Sequence, residues 1–566
     1  MLKQHDMEKV IIYQVFTRLF GNDKAVCQQN GDKQTNGCGT MAAFTSKALN
    51  EVKAMGYTHI WYTGLLEHAT QTDYTEYGIL RDHPAVVKGK AGSPYAIKDY
   101  YDIDPDLAVK VPERLKEFKN LVNRTHKAGL KMIMDFVPNH VHRQYHSDAK
   151  PKDVRDLGEN DNKEFTYLPT NNFYYIPGQQ LSGIDLYAGE VEPYVETPAK
   201  VTGNDVFSSS VTPNDWFETV KLNYGRDYQA GHNYFTPVPD TWHKMKHILL
   251  YWASMGVDGF RCDMAEMVPA EFWGWAIPEV KKVNPNILFI AEVYNPNEYR
   301  RYIYNGHFDY LYDKVGLYDT LRAVACNQTS ASSLTPCWQS VQDIQNHMLS
   351  FLENHDEQRM ASDFFLGYGP KGKAAIVVCA TMFSNPIMVY FGQELGERGM
   401  ENEGYSGRDG RTTIFDYWTV DTIRRWRNGG KFDGALLNET EKGLRTFYSK
   451  LLNLCNTEAA LREGEMFDLM YVNYGGWMLN DHRHYAYLRK KGHEVILVVA
   501  NFSDMDSRVG VKIPEHAFKH LDMAENHAVE GTDLLTGETA TYQMLPEKIC
   551  AVDVKAYNAV LIKMNL

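Results

Sequence analysis

Cysteine is scarce in this chain, with 8 among 566 residues. They stand at 27, 38, 262, 326, 337, 379, 455 and 550, and no C-x-x-C pair occurs. That excludes the usual zinc frameworks and a disulfide scaffold. Cys27 with Cys38, and Cys326 with Cys337, are spaced for loop disulfides, although buried or free thiols are the plainer expectation. Long apolar runs are missing too: no stretch reaches the roughly 18 residues of a membrane-spanning helix. Positive charge is in deficit, 59 Lys+Arg against 72 Asp+Glu, a net charge of −13. Nucleic-acid binding, which needs clustered Lys and Arg for phosphate contacts, is therefore disfavoured. The start MLKQHDMEKVIIYQVF lacks the charged, apolar, small-residue order of a secretory leader. The expected compartment is the cytoplasm as sequenced, or a secreted or periplasmic location if a leader has been removed. Low-complexity segments and long linkers are also absent.

Length and aromatics are plentiful. A chain of this size can bury a large core without staples. At about 150 residues per domain it suggests three or four domains, unless one α/β barrel takes most of it. The 36 Tyr, 25 Phe and 10 Trp fit a core, and equally fit a cleft that stacks sugar rings.

One pattern recurs: an amphipathic helix, a Gly, then a short apolar strand. It runs through Leu49, Val52, Met55 and Gly56 into THIWYTG; through Leu115, Phe118, Leu121, Val122 and Gly129 into LKMIMDF; and through Trp242, Met245, Leu249, Trp252 and Gly256 into VDGFRCD. Spacings of three and four place one helix face on a core. The Gly suits a left-handed C-cap. Strands rich in Val, Ile, Leu and Met, without alternation, read as parallel strands buried on both faces. Roughly eight are expected: 10–16, 59–64, 131–137, 257–262, 287–293, 308–313, 348–353 and 386–392. Alternating strand and helix predict an α/β fold, a (β/α)8 TIM barrel. Residues 141–237 are rich in Pro, Asn, Gly and Tyr and lack a helical period, which reads as an inserted domain after the third strand. After Gly464, HYAYLRKKGHEVILVVANF reads as a hairpin turning at Lys490-Lys491-Gly492. The expected division is a barrel in two parts, 1–140 and 238–463, the insertion 141–237, and a C-terminal all-β sandwich domain, 464–566.

Active sites of such barrels lie at the C-terminal ends of the strands. Here the third strand ends Asp135-Phe-Val-Pro-Asn139-His140, the fourth Gly259-Phe-Arg261-Cys-Asp263, the fifth Ala291-Glu292, and the seventh Glu353-Asn354-His355-Asp356. Asp263 and Glu292 leave adjacent strands. Two carboxylates about 5–5.5 Å apart have the spacing for retaining glycoside hydrolysis. Arg261 and Asp263, two apart on a strand, point the same way. The guanidinium would hold the carboxylate ionised; the same pair also suits a purely structural ion pair inside the barrel.

Taken in order, DFVPNH, GFRCD, an Ala-Glu after an apolar strand, and ENHD resemble the four main signatures of the α-amylase family, glycoside hydrolase family 13. The resemblance covers about residues 8–460. It implies Asp263 as nucleophile, Glu292 as acid/base and Asp356 as transition-state stabiliser, with Arg261, His140 and His355 lining the adjoining sugar subsite. SPYAIKDYYDIDPDL resembles the segment that supplies a stacking Tyr, here Tyr95. GYTHIWYTG and PIMVYFGQELG resemble the second- and eighth-strand blocks, and Lys221-Leu222-Asn223 the end of the short block in the insertion. The implied activity is α-1,4-glucosidic hydrolysis of starch or maltodextrin with retention. An α-glucosidase, a cyclomaltodextrinase, a transglycosylase, or a non-catalytic transporter subunit that has lost its acids would share the fold. The implied partner is an α-glucan or malto-oligosaccharide, with no organic cofactor and neither nucleic acid nor membrane as partner.

Two features depart from the family pattern. Glu266 and Met267 stand where many α-amylases have Lys-His, and the His position there lends a carbonyl to a structural calcium. Asn139 would share that calcium. The loop with Asn22, Asp23, Asn30, Gly31 and Asp32 also has oxygens for a cation, or is simply a turn.

Overall fold

The computed structural model describes residues 8–566. Eight parallel strands close into a barrel: β1 (Ile11–Phe16), β2 (His59–Thr63), β3 (Lys131–Phe136), β4 (Gly259–Cys262), β5 (Leu288–Ala291), β6 (Tyr310–Tyr312), β7 (Met348–Phe351) and β8 (Ile387–Tyr390). These are the eight strands expected from the sequence, each trimmed by a residue or more. β1 pairs with both β2 and β8, which closes the ring. Almost every strand residue is buried, because side chains point either into the barrel or against the surrounding helices. Inside, Ile12, Trp61, Ile133, Ile290, Tyr312, Leu349 and Met388 form one apolar plug. Each such side chain contributes about 1.5–3 kcal/mol by leaving water.

The repeated Gly does what the pattern requires. Gly56, Gly129 and Gly256 follow the helices Ser46–Ala54, Arg114–Lys127 and Asp240–Ser254 with φ of 102°, 74° and 91°. At Gly56 a Cβ would also sit 2.8 Å from the Asn453 backbone nitrogen, so the turn needs glycine twice over.

Between β3 and the helix Asp240–Ser254 the chain builds three small antiparallel ladders. They pair His140–His142 with Thr219–Lys221, Tyr175–Ile176 with Ala199–Lys200, and Arg226–Asp227 with His232–Asn233. Side chains hold this region together more than ladders do. Asp161, for example, accepts from the backbone N–H groups of Asn172 and Phe173 and from the Tyr175 hydroxyl.

From Glu465 the chain forms a six-stranded antiparallel sheet and a two-stranded one, Ser507–Lys512 with Ile549–Val554. The seven-residue helix Glu515–Leu521 interrupts this all-β unit. The predicted hairpin pairs His484–Lys491 with Glu494–Asn501, so its turn is Gly492-His493, slightly later than expected. Buried Arg489 ties the sheet to the barrel by donating to the carbonyls of Thr381 (2.6 Å) and Gly464 (2.8 Å). All eight cysteines are free thiols. No helix among the described residues is long and apolar enough to cross a membrane.

Candidate active site

The C-terminal ends of β3, β4, β5 and β7 converge on one buried cation. Arg261, with no solvent exposure, sits on β4 in register with Asp135 of β3 and Ile290 of β5. Its Nη1 donates to Asp263 Oδ1 at 2.8 Å and its Nη2 to Glu292 Oε2 at 2.8 Å. Its Nε donates to the Tyr312 hydroxyl at 3.0 Å. One guanidinium thus clamps the two carboxylates of adjacent strands, and a protonated Glu292 is close enough to hydrogen-bond Asp263.

The backbone is bent to serve this clamp. Met264, just past β4, has φ of 44°, unusual for a residue with a Cβ and costing about 1–2 kcal/mol. The bend aims its N–H at Glu292 Oε2, 2.8 Å away. Strain held next to a reactive group is a mark of functional sites.

Asp263, Glu292, Asp356, Tyr95 and His140 line a cavity of about 370 Å³, in the range of small-molecule sites. Beneath it, His355 takes the Gln14 amide on Nδ1 (2.9 Å), which leaves Nε2 to face the Tyr95 hydroxyl (2.7 Å) and Asp356 (3.2 Å). A neutral ring with its proton on Nε2 satisfies all three. Burial, with Arg261 assisting, keeps His355 neutral. His140 lies 3.9 Å from Asp263 through Nε2, and burial lowers its pKa to about 3. The Tyr95 ring stacks on His355 at 5.1 Å. Asp135 is a structural partner below the cavity, held by the Trp61 indole N–H (3.1 Å) and the Gly64 N–H (3.3 Å).

Four acids around one cation cannot all ionise cheaply. Burial raises Asp135 to about 7, with Arg261 opposing. Burial also raises Asp263 and Glu292; Arg261 opposes both, and Asp263 adds to the rise at Glu292. The sequence suggested that Arg261 would hold Asp263 ionised. It pulls in that direction, but enclosure in the cleft outweighs it. Asp356 is pushed up to about 8 by its enclosure and by the charges of Glu292 and Asp263. Its side chain is 41% accessible, so water in the cleft offsets part of that rise.

The sequence reading missed several cavity residues: Trp216, the Lys88–Glu218 ion pair (3.0 Å), Phe415 and above all Tyr294. The Tyr294 hydroxyl donates to Glu292 Oε1 at 2.5 Å. Its spacing, two residues beyond Glu292, was the available signal. Glu266, at the departure from the Lys-His pattern, accepts from the N–H groups of Tyr294 (3.1 Å) and Asn295 (3.0 Å). The acid there pins the loop that carries Tyr294.

Asn139 stands apart from the cavity and does not fit a metal ligand. Its Oδ1 accepts from the Lys221 ammonium at 2.8 Å, and that ammonium also pairs with Asp205 at 2.6 Å. Asn139 has a single, neutral side-chain oxygen to offer, and a buried cation of the chain itself already holds it. The first-strand loop spends its oxygens similarly. Asp32 caps the helix Lys33–Asn36 through the Thr35 N–H, and Asp23 pairs with Arg427 at 2.7 Å.

The family model for the α-amylase catalytic domain matches residues 14–428. The chain belongs to the α-amylase family. Among curated relatives, an α-amylase of Streptomyces lividans is 25% identical over 430 residues, 68% of this chain and 42% of that protein. Neopullulanase 2 of Thermoactinomyces vulgaris is 23% identical over 77% of this chain and 62% of its own length. The chain thus spans about half the length of these two relatives. Among solved structures, an α-amylase of Geobacillus thermoleovorans in complex with acarbose superposes with a TM-score of 0.64 at 18% identity, covering 100% of both chains. A maltogenic α-amylase of Thermotoga neapolitana gives 0.63 at 20% identity over 99% of both. At these identities the likeness establishes the fold.

Proposed function

We propose that the protein is a retaining glycoside hydrolase that cleaves α-1,4-glucosidic bonds of starch or maltodextrins. The observation that carries this is the shared guanidinium: Arg261 draws Asp263 and Glu292 to one spot at the cavity floor. Two carboxyls held close together leave no room for a water between an acid and the sugar, and the attack is then direct. Asp263, bonded to Arg261 and within reach of the Glu292 proton, is the acid that ionises. It attacks the anomeric carbon, while Glu292 gives its proton to the departing glycosidic oxygen. A covalent β-glycosyl ester on Asp263 results. Glu292, now ionised, takes a proton from water, and that water displaces Asp263. Asp356 at the rim stabilises the positive charge that develops on the ring. Neutral His140 with Tyr95 holds the hydroxyls and apolar face of that sugar, while His355 orients Tyr95 and Asp356 from beneath.

Relatives named α-amylase, neopullulanase and cyclomaltodextrinase share the family. Substrate choice is therefore read directly. The protein is incubated separately with starch, pullulan, cyclodextrin and maltotriose, and products are resolved by size and anomer. Starch and maltotriose are expected to yield shorter maltodextrins. Turnover of none of the four would end the proposal.

Tyr294 gives a sharper check. Its hydroxyl stabilises the ionised form of Glu292 and so lowers that pKa. Tyr294→Phe is expected to raise the Glu292 pKa and to move the alkaline limb of the kcat/KM profile to higher pH, leaving the acid limb in place. An unmoved alkaline limb, or one moved downward, contradicts this reading.

A further inference from the structure

Away from the active site, the strand Leu66–His68 runs antiparallel to the strand Ile97–Ile103, and this ladder places Glu67 opposite Asp99. Asp102 lies further along the same strand. All three carboxylates are buried: Glu67 is 1%, Asp99 0% and Asp102 4% exposed. One oxygen from each lies within 4.8 Å of the other two. That is the span of opposite ligands on a cation with bonds of about 2.4 Å.

The three acids differ in what they already bind. Asp102 is held by Arg114 through Nε (3.1 Å) and Nη2 (2.5 Å). Asp99 accepts from the Ser147 hydroxyl (2.6 Å) and from the N–H groups of Tyr101, Asp148 and Ala149. Glu67 accepts nothing: both of its carboxylate oxygens are buried without a hydrogen-bond partner. Lys98, the other nearby cation, is committed to Asp82 at 3.1 Å and to the Leu80 carbonyl. Arg114 set against three carboxylates leaves two negative charges unbalanced in a dry site. Native proteins rarely leave such groups unpaired.

We propose that Glu67, Asp99 and Asp102 form a binding site for one divalent cation of the calcium class. All the donors are hard carboxylate oxygens, as calcium prefers, and a site built mainly from protein carboxylates suits calcium better than magnesium, which usually keeps several of its waters. A divalent charge would cancel the local excess and give the Glu67 oxygens the partner they lack. Through Asp99 the cation would clasp residues 147–149, at the base of the inserted region, to the segments that follow β2. It is a place distinct from Asn139, where Lys221 serves.

The rival occupant is a proton, since burial and the charge of Asp99 both favour a neutral Glu67. The full chain is stripped with EDTA and dialysed against 1 mM CaCl2 or against buffer. Metal content is measured by mass spectrometry and the melting temperature by calorimetry. One calcium per chain, a melting temperature higher by several degrees in CaCl2, and loss of both in Glu67→Gln are expected. No bound metal and equal melting temperatures in CaCl2 and EDTA would overturn the proposal in favour of the buried acid. Calcium retained at full stoichiometry by Glu67→Gln would overturn it in favour of another site. Should Glu67→Gln fail to fold, Asp102→Asn is read in the same way, and the metal content of the parent chain still decides.

Discussion

Asp263→Asn is expected to lower kcat on maltodextrin by on the order of 10⁴-fold or more, as removal of a nucleophile does in other covalent mechanisms. An amide of the same size cannot form the glycosyl ester. The fold should persist, because an Asn oxygen can still accept from Arg261 Nη1, and that guanidinium keeps Glu292 and Tyr312 as partners. Circular dichroism and a melting curve within a few degrees of the parent would establish this. Activity within tenfold of the parent, with the mutant sequence verified, would remove Asp263 from the nucleophile's role.

The second large effect depends on the substrate. Glu292→Gln removes proton donation, which is typically worth about 10²–10⁴-fold. A natural glucan leaves as a poor alkoxide and should suffer the whole loss in the first step. An activated aryl glucoside needs little protonation to leave and should be spared much of it. Equal losses on the two substrates would argue against an acid role. The pH profile carries the same information. The parent should be bell-shaped, with Asp263 ionised and Glu292 protonated at the optimum; both are raised by burial and restrained by Arg261. On the activated substrate the Glu292 variant should lose the alkaline limb and keep the acid one.

The barrel and the acids at its mouth could be read in the sequence for a physical reason. A parallel strand buried on both faces is an apolar run, and three of the eight, β2, β3 and β4, are announced by a helix and a left-handed Gly. Asp263, Glu292 and Asp356 then stand out as charges where the apolar runs stop. The inserted region had no such periodicity, because its order comes from side chains such as Asp161 and Asn223 bonding to the backbone of distant segments. Tyr294 stayed hidden because its reach to Glu292 depends on a loop fixed by Glu266. The Lys221 ammonium at Asn139 depends on a pairing between residues 82 apart, and so takes the oxygen expected for calcium without a local signal. Glu67 and Asp99 meet only through a ladder with register shifts, which no local pattern reveals.

Direct attack by Asp263 is the centre of the account, and the anomer formed first tests it most directly. Fresh maltodextrin is mixed with the enzyme, and proton NMR spectra are collected before mutarotation mixes the products. Two successive inversions at one carbon, the first by Asp263 and the second by water, give net retention. The α-anomer should appear first and decay toward equilibrium afterwards. A β-anomer at the earliest times would mean that water attacks in a single step, and would contradict the roles given to Asp263 and Glu292.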